Sequence, residues 1–369
     1  MKKKITWITF DTFIDCDISI VKELKKTFDI TWILMFPMVN SRFKKEDFTE
    51  DSELNDVNLK YFKIKFRLRK PSTYLFWLNF AKYVTKTNPD VIYFNGDALL
   101  MNAPFFWALD KKKLIIAIHE GLITTNNKKV LRRINLARKL IIPNVRYINC
   151  FSNSQATFFS EKFPNNKMFV IPLALKDFGF SEKQQKEDDI VFFNFGRIVP
   201  KKNIDLLIEA ACNIYEQGYR GFKIAIIGGC ANWDYYLSKM RYPSIFITDI
   251  RSIDNSEIKD LFSEYHYLVL PYKVVSQSGP LKIAFNYNIP VVVSDQLGFT
   301  DEVVDGVNGF VFKTGEVKSL ESVLKNAIDQ HKDYDLLRNR MKTYTADHYS
   351  LKVIGDKYTS MFNKVTSAK

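Results

Sequence analysis

The sequence predicts an α/β protein built as two similar domains in series, and three observations carry that expectation. At 369 residues the chain is longer than a single hydrophobic core usually supports. Short β-rich runs alternate with helical patterns along almost its whole length, the mark of parallel sheets covered by helices. A polar, charged run at 181–189 (SEKQQKEDD) interrupts the alternation near the middle and reads as a linker.

In the first half the expected strands are 5–10, 30–35, 61–65, 91–95, 114–118, 147–151 and 168–171, with helices near 18–28, 73–87 and 98–109. Beyond the linker the strands restart at 190–195, 223–227, 245–248, 267–270, 291–293 and 310–312. Helices there fall near 203–217, 256–264, 280–287, 319–330 and 351–364. The expected domains are therefore 1–178 and 187–348, both Rossmann-like, with a C-terminal helix at about 350–369 packing back on the first.

A composition of 46% hydrophobic and 26% charged residues excludes disordered and fibrous classes. The 31 Phe and 18 Tyr fit either exposed aromatic surface or a biased genome. A net charge of +13 favours anionic partners: nucleic acid, anionic lipid or phosphate-bearing small molecules. The four cysteines, Cys16, Cys150, Cys212 and Cys230, form no CxxC pair, so neither a zinc site nor a disulfide framework is indicated. The apolar run before Asp11 is shorter than the roughly 7–15 residues of a signal core. No stretch approaches the roughly 18 apolar residues of a spanning helix. A reducing cytoplasm is the expected setting.

The chemistry concentrates in the second half. The strand at 190–195 runs into Gly196, Arg197, Lys202 and Asn203 before a helix. Glycine permits a tight turn, Arg197 offers a planar fork for phosphate oxygens, Lys202 a point charge, and Asn203 an N-cap. A surface turn with solvated charges accounts for the same residues. The strand at 267–270 leads into Val275-Ser276-Gln277-Ser278-Gly279 and a helix opened by Pro280. Unpaired N–H groups at such a helix start suit a diphosphate, although a plain capped helix reads the same way. Pro290 then begins a strand that delivers Gly298 and the run 301–310 (DEVVDGVNGF).

In order and spacing these elements resemble the carboxy-terminal domain of family 4 glycosyltransferases. The matches are the GR…PxK turn, Gly228-Gly229 at a strand end, the phosphate loop with its helix, PVV, and DGxNGF. The likeness covers about 190–330 and reaches weakly into the first half through 151–154 and 170–173. It implies the GT-B fold: two Rossmann-like domains with parallel sheets facing across a cleft. It further implies retaining transfer from a nucleoside-diphosphate sugar, UDP- or GDP-linked, without a metal. Gly196, Arg197, Lys202, Gly228, Ser276, Gln277, Ser278 and Gly279 would hold the donor. One departure stands out. The family's two glutamates fall at Val275 and Ile283, so Ser276-Gln277-Ser278-Gly279 resembles the loop of bacterial polysaccharide-assembly members instead. Asp301 falls where the family has a later glutamate.

In the first half, His119 ends an apolar strand, where such transferases carry a histidine near the donor sugar, and Glu120 follows as an acceptor contact or a solvated group. Asp15-Cys16-Asp17 spells DxD ahead of a helix. Asp17 as an N-cap competes there with acceptor contacts by Asp15 and Asp17, and no metal is expected. Basic and aromatic residues interleave at 60–70, and 128–139 (KKVLRRINLARK) sets Val130, Leu131 and Ile134 among Arg132, Arg133, Arg138 and Lys139, with Leu140 just beyond. That is either a solvated helix face or a basic amphipathic helix for the cytoplasmic face of the inner membrane, where a lipid-linked saccharide acceptor is reached.

The expected function is a polysaccharide-assembly glycosyltransferase, peripheral on the membrane. A catalytically silent GT-B binding subunit of a transferase complex is the alternative, since both glutamates are gone. A nucleic-acid binder lacks any matching motif, and a sugar-nucleotide epimerase fits poorly without carboxylates in the site.

Overall fold

Runs such as Val91–Asn95 (VIYFN) and Leu114–Ile118 (LIIAI) are buried at every position, which only a central strand of a sheet covered on both faces requires. The computed structural model describes residues 1–38, 41, 43–64, 70–96, 98–119, 128–185 and 189–367. The chain forms two units: Met1–Ala174 together with Tyr349–Lys369, and Leu175–His348.

In the first unit the strands are β1 (Lys4–Phe10), β2 (Asp29–Pro37), β3 (Asn58–Ile64), β4 (Val91–Asn95), β5 (Leu114–Ile118), β6 (Tyr147–Cys150) and β7 (Lys167–Val170). Among the described residues they form one seven-stranded parallel sheet, ordered β3-β2-β1-β4-β5-β6-β7. Its helices are α1 (Ile14–Leu24), α2 (Glu46–Thr49), α3 (Pro71–Lys86), α4 (Ala103–Ala108), α5 (Lys128–Ile141) and α6 (Asn153–Lys162). Alternation along the strands sends Trp7, Trp32, Tyr93 and Tyr147 to one face, and Ile8, Phe94, Ile116 and Ile148 to the other. The register aligns Thr9, Asn95, Ala117 and Asn149 in one row across four strands.

The second unit holds β8 (Ile190–Phe195), β9 (Phe222–Ile227), β10 (Phe246–Asp249), β11 (Tyr267–Leu270), β12 (Val291–Ser294) and β13 (Gly309–Phe312). They form a six-stranded parallel sheet, ordered β10-β9-β8-β11-β12-β13. Around it lie α7 (Ile204–Glu216), α8 (Trp233–Leu237), α9 (Asn255–Glu264), α10 (Gly279–Asn286), α11 (Leu297–Thr300), α12 (Val317–Asp329) and α13 (Tyr334–Tyr349). The final helix, α14 (Leu351–Ser367), belongs to the first unit, packs against α1, and adds Ile354, Tyr358, Met361 and Phe362 to that unit's core. Both units are thus doubly wound sheets. Each has a topological switch point, between β1 and β4 in one and between β8 and β11 in the other, where strands leave in opposite directions and open a crevice at their carboxyl ends.

Three expectations change. The first helix starts at Ile14, not 18, so Asp17 lies inside α1 and is not its N-cap; the carboxylate is drawn inward by buried donors instead of capping. The 181–189 run is no slack tether where it is described. Ser181 donates to Asp260, Lys183 pairs with Glu264, and Gln185 donates to the Tyr334 hydroxyl, so the division falls before Leu175. Helices α6 and α13 had no clear apolar period; α6 buries only Gln155 and Phe159. It is set by its N-cap, Ser152, whose hydroxyl accepts from Gln155 N–H.

Candidate functional site

In the second unit, β8 stops at Phe195 and Gly196 turns the chain with φ +100°. Gly228, ending β9 with φ +135°, comes so close that a Cβ there would lie 2.5 Å from the Gly196 carbonyl oxygen. Two glycines therefore let two strand ends meet without side chains between them. Arg197 follows on the exposed surface, and a short 3₁₀ turn, Pro200–Lys202, brings Lys202 back toward the strand end. The Lys202 ammonium lies 3.5 Å from the Phe195 carbonyl oxygen and 5.4 Å from the centre of the Tyr272 ring. Burial first, then the neighbouring charge of Lys201, lowers its pKa from 10.5 to about 8. Asn203 occupies the N-cap position of α7 in the left-handed region, φ 56°, but its side chain makes no capping bond.

Helix α10 begins beside this turn. Ser278 is its N-cap, accepting from Leu281 N–H at 3.3 Å, and Pro280 stands in the first turn. The Pro280 ring lies 3.9 Å from where a Cβ on Gly196 would sit, and the Lys202 ammonium 3.1 Å from the same point. A second ammonium, Lys176, lies 3.5 Å from where a Cβ on Gly279 would sit. Ser276 and Gln277 are half-buried in the loop before the helix, and the buried Tyr272 ring lies beneath it next to Ser278. So Gly196, Lys202, Ser278 and Gly279 are brought together, and Lys176 joins them. The sequence carried no signal for Lys176, which lies six positions beyond the end of β7 in an irregular stretch.

Val275 and Ile283, the positions of the family's glutamates, are buried apolar residues at 7% and 4% exposure. Next to Ile283, Lys282 forms a buried ion pair with Glu302, tying α10 to the turn after α11. Gly298 at the start of α11 approaches the loop closely, since a Cβ there would meet the Val275 carbonyl oxygen at 2.6 Å. Asp301 caps the end of α11.

In the first unit, the Asp17 carboxylate is 2% exposed and collects four hydrogen bonds from three side chains. Trp7 Nε1 donates to its Oδ2 at 2.7 Å and Thr9 Oγ1 at 2.6 Å, while Asn95 Nδ2 donates to both oxygens at 2.8 Å. Trp32 Nε1 in turn donates to Thr9 Oγ1 at 2.8 Å. Burial outweighs these bonds and lifts the Asp17 pKa from 3.8 to about 6. Asn95 Oδ1 lies 2.5 Å from His119 Nε2. The His119 ring is 8% exposed and stacks on Phe13 with centroids 3.6 Å apart, while Gln155 Nε2 donates to its carbonyl oxygen. Asp17 and His119 are thus connected, and Asp15 sits half-buried earlier on the same helix. Asn95 was missed in the sequence, although a polar residue closing the apolar strand VIYFN at its carboxyl end was the available signal. Glu120 lies outside the described residues.

On α5, Ala137 and Ile141 face the core, while Val130, Leu136 and Leu140 are exposed alongside Arg132, Arg133 and Lys139. Trp107 of α4, 53% exposed, donates to the Leu140 carbonyl oxygen. Of the first basic run, residues 65–69 lie outside the described set. Among the described residues no helix is long and apolar enough to cross a membrane, and no group of acidic, His or Cys side chains has the makings of a metal site.

Residues 176–348, nearly all of the second unit, match the family model of glycosyl transferases group 1. The chain is 25% identical over 258 residues to the capsular polysaccharide biosynthesis glycosyltransferase CapM of Staphylococcus aureus, an alignment covering 68% of this chain. It spans 61% of the length of that curated relative. A glycosyltransferase from Rickettsia africae superposes with a TM-score of 0.75 at 12% identity, over 99% of this chain and 98% of that one. Anabaena HepE, solved with UDP and glucose, gives 0.69 at 16% identity over 98% of this chain and 100% of that one. The chain has the GT-B fold, two parallel α/β units in series.

Proposed function

We propose that this protein is a retaining glycosyltransferase of the family 4 type. It moves a hexosyl group from a nucleoside-diphosphate sugar, UDP- or GDP-linked, to a lipid-linked or saccharide acceptor in cell-surface polysaccharide assembly. The observation that carries the reading is the meeting of Lys202, Lys176 and the Ser278-capped start of α10 at the switch point of the second sheet. Departure of a nucleoside diphosphate builds negative charge on its oxygens. Ammonium groups and helix N–H groups already fixed there stabilise that charge without reorganising. Arg197, exposed on the same turn, adds a planar cation, and Ser276 and Gln277 line the approach. His119 contacts the donor sugar in this reading, and Asp15, Asp17 and Glu120 were the acceptor candidates. Asp17 is withdrawn from that group by its burial. The exposed apolar and basic side chains of α5 with Trp107 serve as the contact with the cytoplasmic membrane face.

A second reading, a catalytically silent binding subunit, is favoured by one fact: the two glutamate positions have become core residues. A thermal-shift panel of UDP, GDP, ADP, CDP and TDP, with and without magnesium, tests the first reading, because a ligand specific to the folded state raises the melting temperature. One magnesium-independent winner supports the donor site and names its base. No shift with any of them moves the silent subunit to first place, and sugar release from the matching donor removes it.

A further inference from the structure

We propose that Asp17 and Asn95 are positioning residues that fix the tautomer of His119, the ionised Asp17 carboxylate holding the Asn95 amide so that His119 carries its proton on Nε2. The donors and acceptors around the carboxylate determine this state. Oδ2 of Asp17 accepts from the indole of Trp7 and the hydroxyl of Thr9, whose own oxygen is already receiving a proton from Trp32. An indole N–H can only donate. With both carboxylate oxygens acting as acceptors, Asn95 must turn its NH₂ toward Asp17, as its two 2.8 Å contacts show. Its carbonyl oxygen is then committed to His119 Nε2, and that nitrogen must donate. A neutral ring in this state keeps its lone pair on Nδ1.

Placing a proton on Asp17 reverses the chain. Oδ2 has three donors pointing at it, two of them the fixed Trp7 indole and Thr9 hydroxyl, whereas Oδ1 faces only Asn95, so the proton goes on Oδ1, which turns into a donor toward Asn95. The amide now lowers its cost by rotating, offering Oδ1 to Asp17 and NH₂ to His119. His119 Nε2 then has to accept, which in a neutral ring leaves the proton on Nδ1. An Asp17→Asn side chain imposes the same state at any pH, because its oxygen is held at the Trp7 and Thr9 end and its NH₂ faces Asn95. The groups facing the carboxylate are Trp7 and Thr9 from β1, Asn95 from β4, Asp15 on its own helix, and, at longer range, the Tyr93 and Tyr358 hydroxyls from β4 and α14. Aromatic rings of Phe13 and Phe151 flank His119. The carboxyl titrates near 6, so both states are reached close to neutrality.

The inference rests on the proposed sugar contact of His119 only for its effect on turnover; the tautomer is read without any donor. The sequence has four histidines, so ¹⁵N-histidine labelling of the full chain gives few signals, and His119→Gln assigns the one of interest. At pH 8 wild-type His119 is expected to show a protonated Nε2 and an unprotonated Nδ1. Asp17→Asn is expected to show the reverse, and Asn95→Ala a mixture of both. A protonated Nδ1 in the wild type at pH 8, or an Asp17→Asn spectrum identical to wild type, overturns the proposal. Should Asp17→Asn not fold, titration of the wild type decides: loss of the neutral Nε2–H form must follow the Asp17 carboxyl, observed by ¹³C, and a change tracking only the ring's own protonation overturns it. In an active preparation Asp17→Asn is expected to lower kcat about a hundredfold, the scale of a misplaced contact. Its affinity for the nucleoside diphosphate is expected to stay unchanged.

Discussion

The two units share a topology, a parallel sheet wound both ways from a central switch point, yet they place polar groups there in opposite fashion. In the first unit β1 runs into a buried helix start, and the polar residues turn inward: Thr9, Asp17, Asn95 and His119 bond to one another and to two indoles. In the second unit β8 ends on a glycine with positive φ, and the chain swings out far enough to carry Arg197 and Lys202 on a turn before α7 starts. The difference lies in the few residues between the first strand and its helix. A closed network fixes orientation and holds an unfavourable charge inside, while an open turn keeps cations available to an incoming anion. The same fold thus supplies one rigid positioning centre and one receptive one.

The comparison breaks most readily at the buried ion pair. Lys282→Met should cost about 3–5 kcal/mol in denaturant unfolding, because Glu302 is left charged and buried. A Lys282→Met/Glu302→Leu pair should recover most of it. If the single variant is as stable as wild type, the second unit lacks a rigid base beneath its open turn. Next in size, Lys202→Ala should lower turnover about 10²–10³-fold, the scale for removing a fixed donor from a developing oxyanion, with an unchanged melting temperature. Normal turnover would remove the second unit's claim to the leaving group.

Acid separates the units by sign. His266 in the second unit is buried with Nδ1 accepting from Val191 N–H, and burial lowers its pKa from 6.5 to about 4. Its contribution to stability is complete above 6.5 and is lost as pH falls through about 4. Asp17, raised to about 6, behaves inversely: its contribution is complete below 3.8 and is lost as pH rises through about 6. Between those limits Asp17→Asn should steepen the fall of melting temperature on acidification, and His266→Asn should flatten it. Equal slopes in both variants would mean that neither group governs its unit. The smallest effect is expected at Lys176. Its replacement by Ala should weaken nucleoside-diphosphate binding about threefold to tenfold, as loss of one charged hydrogen bond does, and make binding less sensitive to salt. Unchanged affinity would leave Lys202 as the cation that matters beside α10.

Much of the fold and part of the site were legible in the sequence, and unevenly so. Strands read well because central parallel strands are unbroken apolar runs: β4, β5, β8 and β11 lie where their residues placed them. Gly196, Lys202 and Ser278 were legible because turn glycines and helix caps are local chemistry. Asp17 was misread because a carboxylate near a helix start usually caps it, and only Trp7, Thr9 and Asn95, contributed by two strands, reveal its burial. Lys176 and the Lys282–Glu302 pair left no trace for the same reason: each acquires meaning from a partner more than fifteen residues away. Helix α13 hid behind a polar sequence whose buried positions, Tyr334, Leu337, Met341, Thr345 and Tyr349, mix apolar and polar types.

The last helix bears on how the molecule is made. Tyr358 and Phe362 of α14 pack on Trp7 of the first strand, and Tyr358 also meets the hydroxyl of Tyr93. A ribosome delivering this chain from its amino end completes residues 175–348 before it releases the helix that closes the first core. The later-encoded unit can therefore reach its native state while the earlier one still shows Trp7 and Tyr93 to solvent and to chaperones.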